Sequence, residues 1–560
     1  MKQMGRKFLA MLLAGSFTLT LVSCGGQKQN DKVVDASQAA SSLSKVGTYP
    51  ISDKAIEMSM VRLSMPNVTD FTTNDFSKFI EDKTNIKWTY QTVNMDTADE
   101  QINLMMSKKP LPDAFLFSTP KVAKYGVSEG LLLPLENLIK ENMPNFMAYV
   151  KERPEIWGQI TQSDGHIYGL PSINDCYHCK FRNKMWVNTK HLEKLGLKVP
   201  KTTDELMKVM KAYKQANPKG IPMSGSIDGW GHQFYDWITN AFILDPGTYN
   251  GKLVLSKDKK VESIATTAEY REALKYMHQL FKEGLIDDSA FTQTADNYRK
   301  LMNNEGEPVL FAPFGTISDA YDVNAKPEAY AAYRVIEPIK GPQGQQHATF
   351  FRYDGIAENK FVLTKDCKNP VAALRWLDYF YTLEGYLSMQ FGSEKDKDWK
   401  LNPEGKQGLD GSKALYEIIN QYSSDPQNHD WQDVGINFAT EKTRFGQATD
   451  NDVDIKSAAG LEKLLFIESK EKCEPFAQDP SKDYDVLPTL KFTSEETDQL
   501  NQVTVDVKKY LEENRAAFIR GVQDPNDDAA WDTYVKGFEN VGLPTLIKLS
   551  QTAYDRANQK

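Results

Sequence analysis

Five cysteines in 560 residues are too few for a disulfide framework, so this chain must be held together by a packed interior. Beyond the first two dozen residues no stretch is apolar enough over about 20 positions to span a bilayer. Lys and Arg form no sustained run, and the formal net charge of -9 argues against a nucleic-acid partner, which selects basic patches. His-Glu-x-x-His, Gly-x-Ser-x-Gly and P-loop patterns are missing, which removes the commonest signatures of metalloproteases, serine hydrolases and nucleotide enzymes. Asp450, Asp452 and Asp454 imitate the start of an EF-hand loop. Ile455 stands where its glycine belongs and Leu461 where its bidentate glutamate belongs, so no metal is expected there.

What is present begins with an address. Lys2, Arg6 and Lys7 precede an apolar core from Phe8 to Ala14, followed by Leu21-Val22-Ser23-Cys24. The segment reads as an export signal, 1–23, whose ending resembles the lipobox of bacterial lipoproteins, with Cys24 as the lipidated first residue of the mature chain. Residues 24–55 open as a tether rich in Ser, Ala, Gln and Lys, which cannot bury enough apolar surface to order itself. The expected location is the extracytoplasmic face of the cell membrane, reached through the lipid.

The remaining length exceeds one ordinary domain, and 40% hydrophobic with 26% charged residues is a normal globular composition. Met58–Leu63, the helical face of Phe76, Phe79 and Ile80, and the run Ile86–Val93 set up a βαβ rhythm, hence an open α/β sheet. Pro112–Phe117 reads as a buried strand delivering Ser118 at its carboxyl end, where ligands sit in such sheets. Asp164–Asn188 reads as a crossing from one lobe to another, with Pro171 marking a change of direction. Thr202-Thr203-Asp204-Glu205 and Thr266-Thr267-Ala268-Glu269 read as capping boxes that open scaffold helices. The expected lobes are 56–171 with 313–367, and 172–312 with a helix-rich 368–560. Phe314 ends a strand returning through the hinge. Cys176-Tyr-His-Cys179 has the spacing of a redox or half-zinc motif but no second pair, so a local disulfide or two free thiols are the readings favoured over a metal.

Taken in order, Tyr168-Gly169-Leu170-Pro171, the Arg182–Trp186 stretch, Leu195–Pro200 followed by Thr203–Leu206, Phe281–Asp287, Asn369–Leu374 and Gln551–Arg556 resemble the extracellular solute-binding proteins of ABC importers, in the long branch of oligosaccharide and alginate receptors. That resemblance implies a two-lobed, periplasmic-binding-protein-like α/β fold with hinge segments and a central cleft. It implies closure on a solute and delivery to two permease subunits served by a separate ATPase. One departure stands out. Many alginate-receptor relatives carry an acidic calcium loop before an Ile-Pro-Leu-Ser-Gly stretch, whereas here Ala216–Gly220 leads directly into Ile221-Pro222-Met223-Ser224-Gly225. Calcium is therefore not carried over, and no cofactor is expected.

Sugar rings offer an apolar face rimmed with hydroxyls, and their receptors pair aromatic platforms with polar anchors. Trp186, Trp230 and Trp237 are the candidate platforms; Asn174, Arg182, Gln233, Arg352 and Asp354 are the candidate anchors, with Ser118, Phe314 and Tyr353 alongside. The fitting solute is an oligosaccharide, acidic if both Arg182 and Arg352 face it. Two other readings remain open: a glycan-active enzyme using Asp354 with Asp228 or Asp236, and a surface adhesin or sensor on the same fold. No catalytic residue is assigned. If Cys24 carries the lipid, Cys24→Ser should release the chain from membranes in a fractionation experiment, and persistent membrane association would refute the assignment.

Overall fold

The computed structural model describes residues 43–558, apart from 65–67, 95–96, 248–250, 322–325, 351–354, 421–425, 451 and 478–482. The signal segment and Cys24 therefore lie outside the described residues, as do Arg352, Tyr353 and Asp354 and most of the tether.

One sheet of six strands organises the first core, in the order Phe438–Ala439, Gly169–Asn174, Ile356–Leu363, Ala114–Leu116, Ile56–Leu63, Ile86–Val93. Ile56–Leu63 runs parallel to both of its neighbours, and Ile356–Leu363 runs antiparallel to both of its own. The parallel pair needs a crossover, supplied by helix Asp75–Thr84. Asn74 caps that helix by accepting from the backbone N–H of Phe76 and Ser77, and its buried Phe76 and Ile80 face the sheet. Pro171 does not turn the chain as expected; it sits inside strand Gly169–Asn174. The partner strand shifts register between Ala357 and Phe361, and this bulge leaves the proline, which has no N–H, without a ladder position to fill.

The second core surrounds a three-stranded antiparallel sheet, Phe311–Phe314, Lys184–Asn188, Tyr333–Val335. Helices Thr203–Ala216 and Ala268–Lys282 pack on it through Leu206, Met210, Leu274 and Met277, and helix Ser494–Arg520 adds Val507, Leu511 and Phe518. A smaller cluster, with Trp186, Tyr298, Phe314, Leu464 and Leu465, continues this side of the molecule toward the crossing.

These cores redraw the expected boundaries. Strand Phe311–Phe314 pairs with Lys184–Asn188 in the register Lys184↔Phe314, so the described residues of 313–350 pack with the second core rather than the first. Conversely, much of 368–439 builds the first: Trp376 lies edge-on to Trp88 at 5.2 Å, Trp431 lies edge-on to Phe76 at 5.0 Å, and Phe438–Ala439 extends the six-stranded sheet. Trp431 also covers the buried Arg62, whose guanidinium carbon is 4.0 Å from that ring and 3.4 Å from Phe71. Burial pushes the Arg62 pKa down to about 9.

The chain leaves the first core after Asn174 and after Ala439, and Gly355 leads back into it. The three passages leave the first sheet side by side: Asn174 N–H donates to Gly355 O at 2.7 Å, and Asp175 N–H donates to Ala439 O at 2.8 Å. Gly355, at φ +70°, must lack a side chain, because a Cβ there would come within 2.2 Å of an Asp175 carboxylate oxygen.

Inside the second core a buried ion cluster ties the loop after helix Phe234–Thr239 to the following hairpin. Lys252 Nζ donates to Asp236 at 2.6 Å and to Asp245 at 2.8 Å, with all three side chains almost wholly buried. Arg515, from helix Ser494–Arg520, lies over the Tyr235 ring at 3.4 Å. Removing the ammonium strands two carboxylates in a low dielectric. Lys252→Met should cost about 3–5 kcal/mol in urea unfolding, and adding Asp236→Asn and Asp245→Asn should recover part of that loss.

Candidate binding site at the crossing

Asp175 anchors the first-lobe end of the crossing. Its carboxylate accepts from Arg153 Nη1 at 3.0 Å, from the Tyr149 hydroxyl at 3.3 Å and from Glu441 N–H at 2.9 Å. Cys176 and Cys179 then form a disulfide, one of the two readings their spacing left open. The turn leads into a short 3-10 helix, His178–Phe181.

Lys184, at the head of the next strand, is fully buried. Its Nζ donates to the carbonyls of His178 at 2.9 Å, Phe181 at 2.7 Å and Gly315 at 3.0 Å. Three carbonyls replace the water an ammonium normally holds, and the same bonds satisfy the carboxyl end of the 3-10 helix. Burial pushes the lysine pKa down to about 8, opposed by Cys473 and Asp319. The His178 imidazole is held well below its ordinary range, first by burial and then by the Lys184 and Arg444 charges, and is neutral at physiological pH.

Above this layer lies Trp230. It is flanked by Gly229 and Gly231, at φ +87° and +75°. A Cβ at Gly231 would come within 1.9 Å of the Arg182 carbonyl oxygen, and one at Gly315 would come within 1.9 Å of the Trp230 ring. The indole is thus laid flat on bare backbone, and Gly315 N–H donates to Trp230 O at 2.9 Å. The ring is half-buried, edge-on to His178 at 5.7 Å. The half-buried Arg182 extends its guanidinium past Gly247. The adjoining loop is fixed by Asn183, whose Nδ2 donates to Gly231 O at 3.1 Å and Gln233 O at 2.9 Å.

On the first-lobe side, Ser118 is half-buried just past strand Ala114–Leu116. Before it stands Phe117, a residue that the pattern of the sequence did not single out. It adopts φ +69°, a strained conformation for an aromatic residue. Its N–H donates to Lys360 O at 2.6 Å, and the Lys360 ammonium lies 4.3 Å from its half-buried ring. Asn174 contributes a buried Oδ1 that has no hydrogen-bond partner.

Four expected site residues are withdrawn by their surroundings. Trp186 is wholly buried and donates its indole N–H to Phe314 O at 3.0 Å. Phe314 is face-stacked on Tyr298 with centroids 4.7 Å apart. Trp237 lies in the second core on helix Phe234–Thr239, every residue of which is buried. Gln233 is buried, and its amide donates inward to the carbonyls of Asp228 at 3.2 Å and Gly229 at 3.3 Å. A strand or short helix buried on all sides shows no periodicity that separates a lining aromatic from a core one. The Trp230 turn and the Arg182 backbone remain together at the crossing, with Ser118 and Asn174 at the carboxyl ends of strands of the first sheet.

A family profile described as "Bacterial extracellular solute-binding protein" matches residues 66–387. The chain belongs to this family. Among its relatives, the fructooligosaccharide ABC transporter substrate-binding protein FusA of Streptococcus pneumoniae serotype 4 is 27% identical over 567 residues, covering 98% of this chain and 97% of that one. The polygalacturonan/rhamnogalacturonan-binding protein YtcQ of Bacillus subtilis is 27% identical over 210 residues, covering 35% and 40% of the two chains. In solved structures, FusA of S. pneumoniae in complex with kestose superposes with a TM-score of 0.69 at 24% identity, over 90% of this chain and 99% of that one. An HMO-binding, ABC-transporter-associated solute-binding protein of Bifidobacterium longum infantis gives 0.69 at 21% identity, over 91% and 100%. The fold of this solute-binding protein is accordingly the two-lobed α/β fold of its structural neighbours.

The depressed Lys184 pKa makes stability depend on pH in a defined direction. Between about 8 and the ordinary lysine pKa of 10.5, the unfolded chain holds a proton that the folded chain has shed, so folding gains as pH rises through that window. Urea unfolding of the wild type and of Lys184→Met should show the wild type gaining relative to the variant across it. A constant difference would mean that Lys184 keeps its ordinary pKa.

Proposed function

We propose that this solute-binding protein is a lipid-anchored receptor that captures an oligosaccharide between its two lobes and delivers it to the permease subunits of an ABC importer. The observation that carries the solute class is Trp230: a half-buried indole seated on glycine backbone, with the Arg182 carbonyl beneath its flanking Gly231. A rigid aromatic face beside polar groups is the chemistry that sugar rings select. Ser118, Asn174 and Phe117 are the partners assigned to the first lobe, so that a solute touching both lobes favours the closed state. The near full-length likeness to FusA supports the same reading. The anchor is assigned to Cys24, which places capture on the outer side of the membrane, and Arg352, Tyr353 and Asp354 stay proposed site residues on their sequence position.

Binding without chemistry is part of the proposal. The hydrolase alternative drew on Asp228 and Asp236, but Asp236 is ion-paired to Lys252, and an Asp228 oxygen accepts from Ala295 N–H at 2.5 Å. Both carboxylates are thus engaged in tying their segments to neighbouring ones.

The test is a thermal-shift screen of the full chain against neutral oligosaccharides, acidic oligosaccharides and short peptides, with product analysis of every hit. An intact oligosaccharide that raises the melting temperature supports the reading, since a ligand of the folded state adds stability by mass action; a cleaved one overturns it. Trp230→Ala should weaken calorimetric binding of the hit by more than about 1 kcal/mol, roughly fivefold, without loss of folding. Unchanged affinity would return Trp230 to a packing role.

A further inference from the structure

Cys176, His178 and Cys179 each offer one donor atom, and those three atoms lie within 4.8 Å of one another. The group is not part of either hydrophobic core's packing logic: it occupies the turn that carries the chain from the first sheet to Lys184. His178 Nδ1 is buried with no hydrogen-bond partner. Such an atom is costly to keep unless something satisfies it.

We propose that this turn is a redox-gated site for a thiophilic metal ion: with the disulfide opened, the two cysteine thiolates and the His178 imidazole bind one Zn2+. Two sulfurs and one imidazole nitrogen are the ligand set that selects zinc or cuprous copper over magnesium or calcium. Three protein ligands leave a fourth position for solvent, which the half-exposed Cys179 can admit. In the disulfide neither sulfur is a thiolate, so the oxidised turn has only one ligand left. Opening it takes a dithiol, which delivers two electrons and two protons and is itself converted to a disulfide. Zinc then displaces both thiol protons to the buffer. The Lys184 ammonium is bonded to the His178 carbonyl in this turn, and a cation there favours thiolates and disfavours a bare metal ion. Two thiolates cancel the charge of the ion, which is why both are required.

The site also touches the solute-binding machinery. His178 holds the Lys184 ammonium by its carbonyl and sets its ring edge against Trp230. Fixing the imidazole on a metal therefore alters the surroundings of Trp230, and by linkage the solute alters zinc affinity by the same factor. Only this coupling rests on the reading of Trp230 as a sugar platform; the metal site does not.

The experiment uses the full chain in detergent, reduced anaerobically, freed of reductant and titrated with Zn2+ against a chromophoric chelator, beside the oxidised chain and without any solute. The expected result is one zinc per reduced chain, bound about tenfold or more tighter than by the oxidised chain, with thiolate-to-metal charge-transfer absorption when Co2+ replaces zinc. Cys176→Ser and His178→Ala should each weaken it about tenfold or more, while Cys367→Ser and Cys473→Ser leave it unchanged. No stoichiometric zinc on the reduced wild type, or undiminished binding in the Cys176→Ser/Cys179→Ser double variant, would overturn the proposal. The cobalt spectrum of the wild type decides the matter even if a variant fails to fold.

Discussion

One ammonium group holds the crossing together. Lys184 draws three carbonyls from two separate segments onto a single point, and everything above that point depends on it. The 3-10 helix gets its carboxyl-terminal cap there, Gly315 is held at the depth that lets an indole lie over it, and His178 is held edge-on to that indole. A carboxylate could have neutralised the charge, but it would have fixed the lysine to one partner. Carbonyls from both sides of the loop make the same cation a three-way joint.

The bond network below Lys184 has a similar design with the opposite charge. Asp175 collects an arginine and a tyrosine hydroxyl from the end of helix Pro144–Glu152, and a backbone N–H from Glu441. An anion and a cation, nine residues apart in sequence, thus serve as the two ends of the passage between cores. The charged groups do not pair with each other. Asp175 is satisfied by an arginine, a hydroxyl and an N–H on its side of the passage, and Lys184 by carbonyls on its own.

The sequence carried the alternation of strand and helix well because that pattern is local. Ile86–Val93 formed as its period suggested, and helix Thr203–Ala216 begins where the Thr202 side chain accepts from Glu205 N–H. The neighbouring box shifted by one residue: Thr267, not Thr266, caps helix Ala268–Lys282. Boundaries between lobes were less legible because they depend on pairing between distant segments; nothing local in 311–314 says that it pairs with Lys184–Asn188. Among the proposed site residues, Trp230 differs from Trp186 and Trp237 in its two flanking glycines, both at positive φ, which let its ring approach the backbone of Gly315. Lys184 carried a signal that went unread. A lysine opening a buried strand, Lys184–Asn188, must find acceptors, and the preceding 3-10 helix and the distant Gly315 supply them. Phe117 carried none, because a phenylalanine gives no hint of positive φ.

The three passages between the lobes leave the first sheet as hydrogen-bonded neighbours, not as scattered links. Mechanically they act as one short axle. Segments anchored side by side resist sliding more than they resist bending about the line they share, so the easiest relative motion of the two cores is rotation about that line. Solute contacts then act chiefly on one hinge coordinate.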